Sequence, residues 1–61
     1  MSDALLRRKA VETETGLSRS SIYRMMDEGE FPRPIRIGKR AVAWRASSIE
    51  RWKSERPLTV E

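Results

Sequence analysis

TGLSRSSIYRMMDEGE, residues 15–30, decides the fold of this 61-residue chain. Gly16 is typical of a helix end, because glycine tolerates the positive φ that closes a helix. Ser18 is typical of an N-cap, since its hydroxyl can accept a hydrogen bond from an unpaired backbone N–H at a helix start. Gly29 ends the second helix in the same way as Gly16 ends the first. The stretch therefore predicts the turn and the second helix of a helix-turn-helix.

The two faces of this second helix differ in chemistry. At about 100° per residue, Ile22, Met25 and Met26 cluster on one side. A short helix with an apolar back and a polar, basic front suits the DNA major groove, because Arg can bind guanine through two hydrogen bonds and Ser or Tyr can hold a phosphate. From this stretch alone, an ordinary amphipathic helix with a solvated face is an equal alternative. The front carries Ser20, Tyr23, Arg24 and Asp27, with Arg19 at its flank.

Positive charge is concentrated in the middle of the chain. Residues 1–17 and residues 46–61 each carry three basic and three acidic side chains. Residues 18–45 carry seven basic and three acidic side chains, so the net charge of +4 lies entirely there. Residues 31–45 hold basic side chains and no acidic one, a local field typical of polyanion binding. The alternative is that these charges only keep a small protein soluble, which would not require such segregation.

Length and composition exclude several function classes. We expect residues 1–61 to form one small domain with a single core, ordered over about residues 5–56. The chain has no cysteine and no histidine, so it lacks disulfides, thiolate metal ligands and the commonest general base. No apolar run approaches the ~20 residues that span a bilayer, and the first ten residues do not form a secretory signal. We therefore expect a cytoplasmic protein without cofactor, metal, membrane contact or enzymatic activity.

A short first helix is expected from residue 7 or 8 to Thr15. It is too short to be stable alone and must pack against the second helix. Upstream, residues 1–6 are expected to be a loose end whose two leucines enter the core. Downstream of the second helix, Pro32 and Pro34 favour an extended connection. Phe31 in this connection is expected to plug the core rather than to stack on a base.

A β-hairpin is predicted over residues 35–45. Apolar side chains recur there with the period of two that half-buried strands show. Gly38 begins the turn at the position most in need of an unusual φ, and the tip presents two basic residues to solvent. The side chains expected to face the helices are Ile35, Ile37, Val42 and Trp44.

A third helix is predicted from Ser47 to about Arg56. Ser47 and Glu50 have the spacing of a capping box. The alternative start takes Arg45 as the N-cap, which would make Trp44 and Ile49 a hydrophobic staple. Both tryptophans, Trp44 and Trp52, are expected to be largely buried. The order helix, turn, helix, hairpin, helix predicts a mostly α winged helix-turn-helix, with the second helix in the major groove and the wing on the backbone or in the adjacent minor groove.

Three segments in combination resemble the AlpA-type prophage transcriptional regulators. These segments are TGLSRSSIYR at residues 15–24, GEFPRP at residues 29–34, and GKR with WR and IERW within residues 38–52. The resemblance extends over roughly residues 5–56. These regulators are related to phage excisionases and to the winged-helix part of MerR-like proteins.

The resemblance implies a regulator of an integrated phage-like element that binds double-stranded DNA. Self-association, cooperative binding on DNA and an integrase partner are compatible with it, and an excisionase-type architectural role is the alternative within the same class. The DNA-binding residues that it implies are Ser18, Arg19, Ser20, Ser21, Tyr23 and Arg24 in the recognition helix, and Lys39 and Arg40 in the wing. Arg36 on the same basic hairpin is a further candidate for a wing contact.

An interpretation from another class is a small protein that binds and inhibits a host factor. It would need an exposed apolar patch, for which Leu5, Leu6 and Met25 are the candidates. A salt titration distinguishes the two classes, because phosphate contacts give binding a steep dependence on salt.

Overall fold

The computed structural model describes residues 3–59 and forms a winged helix-turn-helix. Three helices pack with a small antiparallel sheet whose strand order is β1-β3-β2. This architecture confirms the predicted fold class. The elements in chain order are β1 (Leu5–Leu6), α1 (Arg8–Thr15), α2 (Arg19–Asp27), β2 (Ile35–Gly38), β3 (Ala41–Arg45) and α3 (Ala46–Ser54).

The turn between α1 and α2 follows the local signals in the sequence. Gly16 has a φ of 75°, and its N–H donates to the carbonyl of Glu12 at 2.8 Å. Ser18 is the N-cap of α2, and its Oγ accepts from the N–H of Ser21 at 3.2 Å. Only three residues separate the helices, which is the turn length of a helix-turn-helix.

The C-terminus of α2 closes in a Schellman motif. Gly29 has a φ of 73°, and its N–H donates to the carbonyl of Met26 at 3.1 Å. The N–H of Glu30 donates to the carbonyl of Met25 at 2.8 Å. This pair of bonds satisfies carbonyls that the helix end would otherwise leave unpaired, and it requires the left-handed conformation that glycine provides.

The first residues of the described chain are held by the sheet and by α3. Leu5 and Leu6 form β1 and pair with Arg45 and Trp44 of β3. The expected loose end is therefore corrected for Asp3 and Ala4, which hydrogen-bond to Ser47 and Ala46. Leu6 packs against the core as expected, whereas Leu5 is 46% exposed; Met1 and Ser2 lie outside the described residues. A two-residue strand carries no periodic pattern, which is why the sequence did not indicate it.

Helix α3 begins two residues earlier than the capping box predicted, since Ser47 was expected as its N-cap. Its N-cap is Arg45, as in the alternative start, and this residue makes no side-chain capping bond. The carboxylate of Asp3 takes that role: it accepts from the N–H of Ser47 at 2.9 Å and from the Ser47 hydroxyl at 2.6 Å. These two hydrogen bonds lower the pKa of Asp3, with the hydroxyl bond as the largest cause. Ser47 is thus a capped residue and not the cap.

The hairpin differs from the prediction in which side chains it buries. Ile37 and Val42 are 44% and 37% exposed, whereas Ala43 is fully buried. The pairing register shifts between Arg36 and Gly38, so Ile37 occupies a bulge. A bulge adds one residue to one strand and breaks the alternation of faces. Ala43 and Trp44 are both fully buried, so β3 is covered on both faces at these two neighbouring positions.

Gly38 does not have the unusual φ that the sequence suggested. Gly16 and Gly29 are the glycines with positive φ in residues 3–59, and Gly38 pairs with Ala41 as part of β2. The turn itself consists of Lys39 and Arg40.

One apolar cluster joins the three helices to the sheet. Trp44 is fully buried and Phe31 is 5% exposed, as predicted. Trp52 is only partly buried, which corrects the expectation for this residue. Its indole N–H donates to a backbone carbonyl at the surface, and the Arg56 guanidinium covers its ring at 4.6 Å from the centroid. The buried cluster comprises Val11, Ile22, Met26, Phe31, Trp44 and Ile49.

Candidate nucleic-acid interface

Helix α2 turns its apolar side into the core and its polar side to solvent. Ile22 is fully buried, Met26 is 8% exposed, and Met25 packs partly buried against them. This orientation follows from the apolar stripe in the sequence. The side chains on the opposite, exposed face are Arg19, Ser20, Tyr23, Arg24 and Asp27.

Two of the predicted serines, Ser18 and Ser21, are hydrogen-bonded to each other at the start of α2. Ser18 Oγ accepts from the N–H of Ser21 and donates to Ser21 Oγ at 3.1 Å. Ser20 is exposed between them. The structure thus brings the predicted serines to the first turn of the helix, but only Ser20 has a hydroxyl that makes no hydrogen bond within residues 3–59.

Arg19 and Tyr23 lie one turn apart on the exposed face. The Arg19 guanidinium carbon is 5.9 Å from the centroid of the Tyr23 ring, at the outer limit of a cation–π contact. Tyr23 is 38% exposed, so its ring and hydroxyl can both reach a ligand.

Arg24 has its charge available although acidic residues are near in sequence. Asp27 and Glu28 follow three and four residues later, the spacing at which helical ion pairs form. Within residues 3–59, Arg24 forms an ion pair with neither of them. It lies in the last turn of α2, where the helix dipole favours a positive charge.

The hairpin carries three exposed basic residues on a well-anchored base. Arg36 lies in β2, and Lys39 and Arg40 form the turn. At the other end of the hairpin, the fully buried Ala43 and Trp44 fix β3 to the core. The predicted wing residues therefore project from a strand pair that the domain itself holds in place.

The ion pairs within residues 3–59 are confined to α1 and α3. Lys53 of α3 binds Glu50 at 2.7 Å and Glu14 of α1 at 3.0 Å, and Arg8 pairs with Glu12 within α1. Hydrogen bonds to Glu50, and then to Glu14, raise the pKa of Lys53. These are the ion pairs in the described part of the chain, so none involves a basic residue of α2, the hairpin or the segment between them.

The seven basic residues of the middle segment are all exposed. None of them forms an ion pair within residues 3–59. They form the basic surface of this protein, which we define as Arg19, Arg24, Arg33, Arg36, Lys39, Arg40 and Arg45.

Three other kinds of feature can be compared with residues 3–59: a metal site, a membrane-spanning helix and an apolar patch. Residues 3–59 contain no group of three acidic, histidine or cysteine side chains that could hold a metal ion. The same residues include no helix with the length and hydropathy to span a membrane. Of the predicted apolar patch, Leu5 is 46% exposed, whereas Leu6 and Met25 pack against the core.

Comparisons with known proteins agree with this arrangement. The family model described as prophage CP4-57 regulatory protein (AlpA) matches residues 4–57. The chain is also 44% identical over 41 residues to uncharacterized protein ORF88 of Enterobacteria phage P4. The aligned region covers 67% of this chain and 47% of that protein. The chain thus spans about half the length of this curated relative. Because the family match extends over nearly the whole sequence, the chain belongs to the AlpA family of prophage regulatory proteins.

Proposed function

We propose that this protein is a sequence-specific DNA-binding regulator of transcription from an integrated phage-like element, acting in the cytoplasm and not as an enzyme. Helix α2 enters the major groove, and the hairpin contacts the backbone or the adjacent minor groove. The observation that carries this proposal is the distribution of charge. Residues 18–45 hold the whole net charge of +4. All seven residues of the basic surface are exposed and unpaired within residues 3–59, whereas Arg8 of α1 and Lys53 of α3 form ion pairs.

The exposed face of α2 carries the groups that read and position DNA. Arg24 is the candidate for base reading, because its guanidinium can form two parallel hydrogen bonds with guanine in the major groove. Arg19, Ser20 and Tyr23 are candidates for phosphate contacts near the start of the helix. Ser18 and Ser21 support this turn through the cap that they form together.

The hairpin supplies charge beyond the reach of α2. Lys39 and Arg40 form its tip, and Arg36 lies on its edge strand. Arginine is favoured in narrow minor grooves, where the electrostatic potential is more negative. A phosphate contact and a minor-groove contact both fit this arrangement, and both make binding depend on salt.

A DNA-retention assay at several salt concentrations tests the proposal. The DNA should come from the region that flanks the protein's own gene and any nearby integrase gene. Five phosphate contacts would give a slope of about −4.5 in a plot of log K against log salt, or roughly a 500-fold loss between about 50 and about 200 mM. Failure to bind DNA, or binding without salt dependence, contradicts the proposal and favours the protein-inhibitor interpretation.

Substitution of Arg24 tests the reading role of α2. We expect Arg24→Ala to weaken binding by roughly 1–3 kcal/mol and to relax the preference at one base position. Lys53→Ala is the matched control, because it removes one positive charge from an ion-paired residue of α3, outside the basic surface. An equal loss on all sequences would make Arg24 a phosphate contact, and an unchanged affinity would mean that α2 is not in the groove.

Excisionase-type activity would add properties to the same DNA complex. Bending of the site would alter the gel mobility of circularly permuted fragments. Self-association or cooperative binding would appear as a stoichiometry above one protein per site in a titration. Contact with an integrase would appear as mutual stabilisation of the two proteins on DNA.

A further inference from the structure

The segment between α2 and the hairpin, residues 30–34, is a rigid strap. The indole N–H of Trp52 donates to the carbonyl of Glu30, and the indole N–H of Trp44 donates to the carbonyl of Pro32, each at 2.9 Å. Between these two points, Phe31 is 5% exposed and packs edge-on against the Trp52 ring, with 5.0 Å between centroids. Three side chains thus fix the backbone of a connection that has no regular secondary structure.

Arg33 is the exposed charge on this strap. Pro32 before it has a fixed φ, and Pro34 after it restricts Arg33 to an extended backbone. The Arg33 side chain is exposed and forms no ion pair with any other residue of the range 3–59. Its guanidinium therefore projects into solvent from a backbone that loses little freedom when a ligand binds.

The position of the strap determines what Arg33 can meet. The strap leaves the C-terminal end of α2 and leads into β2, so it joins the two proposed DNA-binding elements. Adjacent major and minor grooves are separated by one sugar–phosphate strand. With α2 in the major groove and the hairpin beyond it, the segment that joins them has to cross that strand.

We propose that Arg33 binds a phosphate of the DNA strand that lies between α2 and the hairpin. The inference rests on the proposed function and adds a contact to it. A phosphate contact positions a protein and carries no sequence information. The role of Arg33 is to fix the distance and orientation between the helix that reads bases and the wing.

Arg33 has no structural role that would explain a loss of binding in another way. It is exposed and makes no side-chain hydrogen bond within the described chain, and the strap is held by its neighbours. We therefore expect Arg33→Gln to melt like the unaltered protein, so that a change in DNA binding reports on contact with DNA.

The experiment compares Arg33→Gln, Arg33→Lys and the control Lys53→Gln by fluorescence anisotropy on target and scrambled duplexes. If Arg33 neutralises one phosphate, Arg33→Gln makes the slope of log K against log salt shallower by about 0.9. Between about 50 and about 200 mM salt, the affinity of the variant then falls by a factor roughly 3.5 times smaller than that of the unaltered protein. The loss should be equal on both duplexes, Arg33→Lys should restore the slope, and Lys53→Gln should keep it.

Three further outcomes are distinct from one another. Unaltered protein that binds with a steep slope, together with an Arg33→Gln variant of the same slope and affinity, overturns the phosphate contact and leaves the proposed function intact. Loss on the target duplex alone would also overturn it, because that would assign Arg33 to a base. If the unaltered protein itself binds without salt dependence, the proposed function fails first.

Discussion

Replacing both residues at the hairpin tip is the sharpest test of the wing. Lys39 and Arg40 are exposed, form the two-residue turn, and have no ion pair within residues 3–59. Surface substitutions of this kind change the free energy of unfolding by less than about 0.5 kcal/mol. The variant with Ala at both positions should therefore keep its melting temperature, while its affinity for DNA falls.

The size of the loss follows from counting phosphates. If each of the two side chains neutralises one phosphate, the slope of log K against log salt becomes shallower by about 1.8. Between about 50 and about 200 mM salt, that corresponds to roughly a 12-fold smaller change in affinity. Fluorescence anisotropy at four or five salt concentrations resolves a difference of this size.

The control must remove the same charge from another place. Arg8→Ala combined with Lys53→Ala lowers the net charge by two, as the wing variant does, but removes the residues that are used in ion pairs on α1 and α3. Exposed ion pairs of this kind contribute little to stability. If both double variants flatten the slope equally, only net charge matters. If the wing variant keeps its affinity and slope, the hairpin is a lid on the core, and the reasoning about the wing is refuted.

Two further predictions concern the fold that holds these groups. Trp52→Ala should lower the free energy of unfolding by about 3 kcal/mol, at the lower end for an aromatic residue because Trp52 is only partly buried; a thermal melt that does not change would contradict this. The hydrogen bonds to Ser47 lower the pKa of Asp3 in the folded state from its usual 3.8. The contact therefore contributes fully to the free energy of unfolding above pH 3.8, and this contribution is lost as pH falls through the lower, folded-state pKa. As pH is lowered, the Asp3→Ala variant should therefore lose less stability than the unaltered protein. Identical dependences of stability on pH for the two proteins would show that the contact does not contribute.

The parts of the fold that the sequence predicted well are those that depend on neighbouring residues. Ser18 and Gly29 predicted the two ends of α2 correctly, because a cap and a Schellman motif each involve groups within a few residues. The buried side of α2 followed from the spacing of its apolar residues. The exposure of the wing cations followed from a segment, residues 31–45, that contains no acid to pair with them.

The parts that the sequence missed depend on contacts between distant residues or on irregular pairing. Asp3 caps α3 from 44 positions away, and nothing around Asp3 indicates its partner. Ser47 resembled an N-cap because its type fits one, but the carboxylate of Asp3 supplies the acceptor instead. The bulge at Ile37 exposed a side chain that the alternation predicted to be buried, since one extra residue breaks the alternation of faces at that point of β2.

The candidate site shows the same division between what is local and what is not. The sequence placed Arg24 on the polar face of α2, but Asp27 and Glu28 offered it partners at helical spacing. Only the folded geometry leaves its charge unpaired within the described residues, while Lys53, with Glu50 in its own helix, also binds Glu14 of another. A surface that served solubility alone would have no reason to concentrate the whole net charge of +4 in residues 18–45. This concentration of charge follows if the unpaired cations of residues 18–45 meet a polyanion, which is why the two double variants with equal net charge should differ.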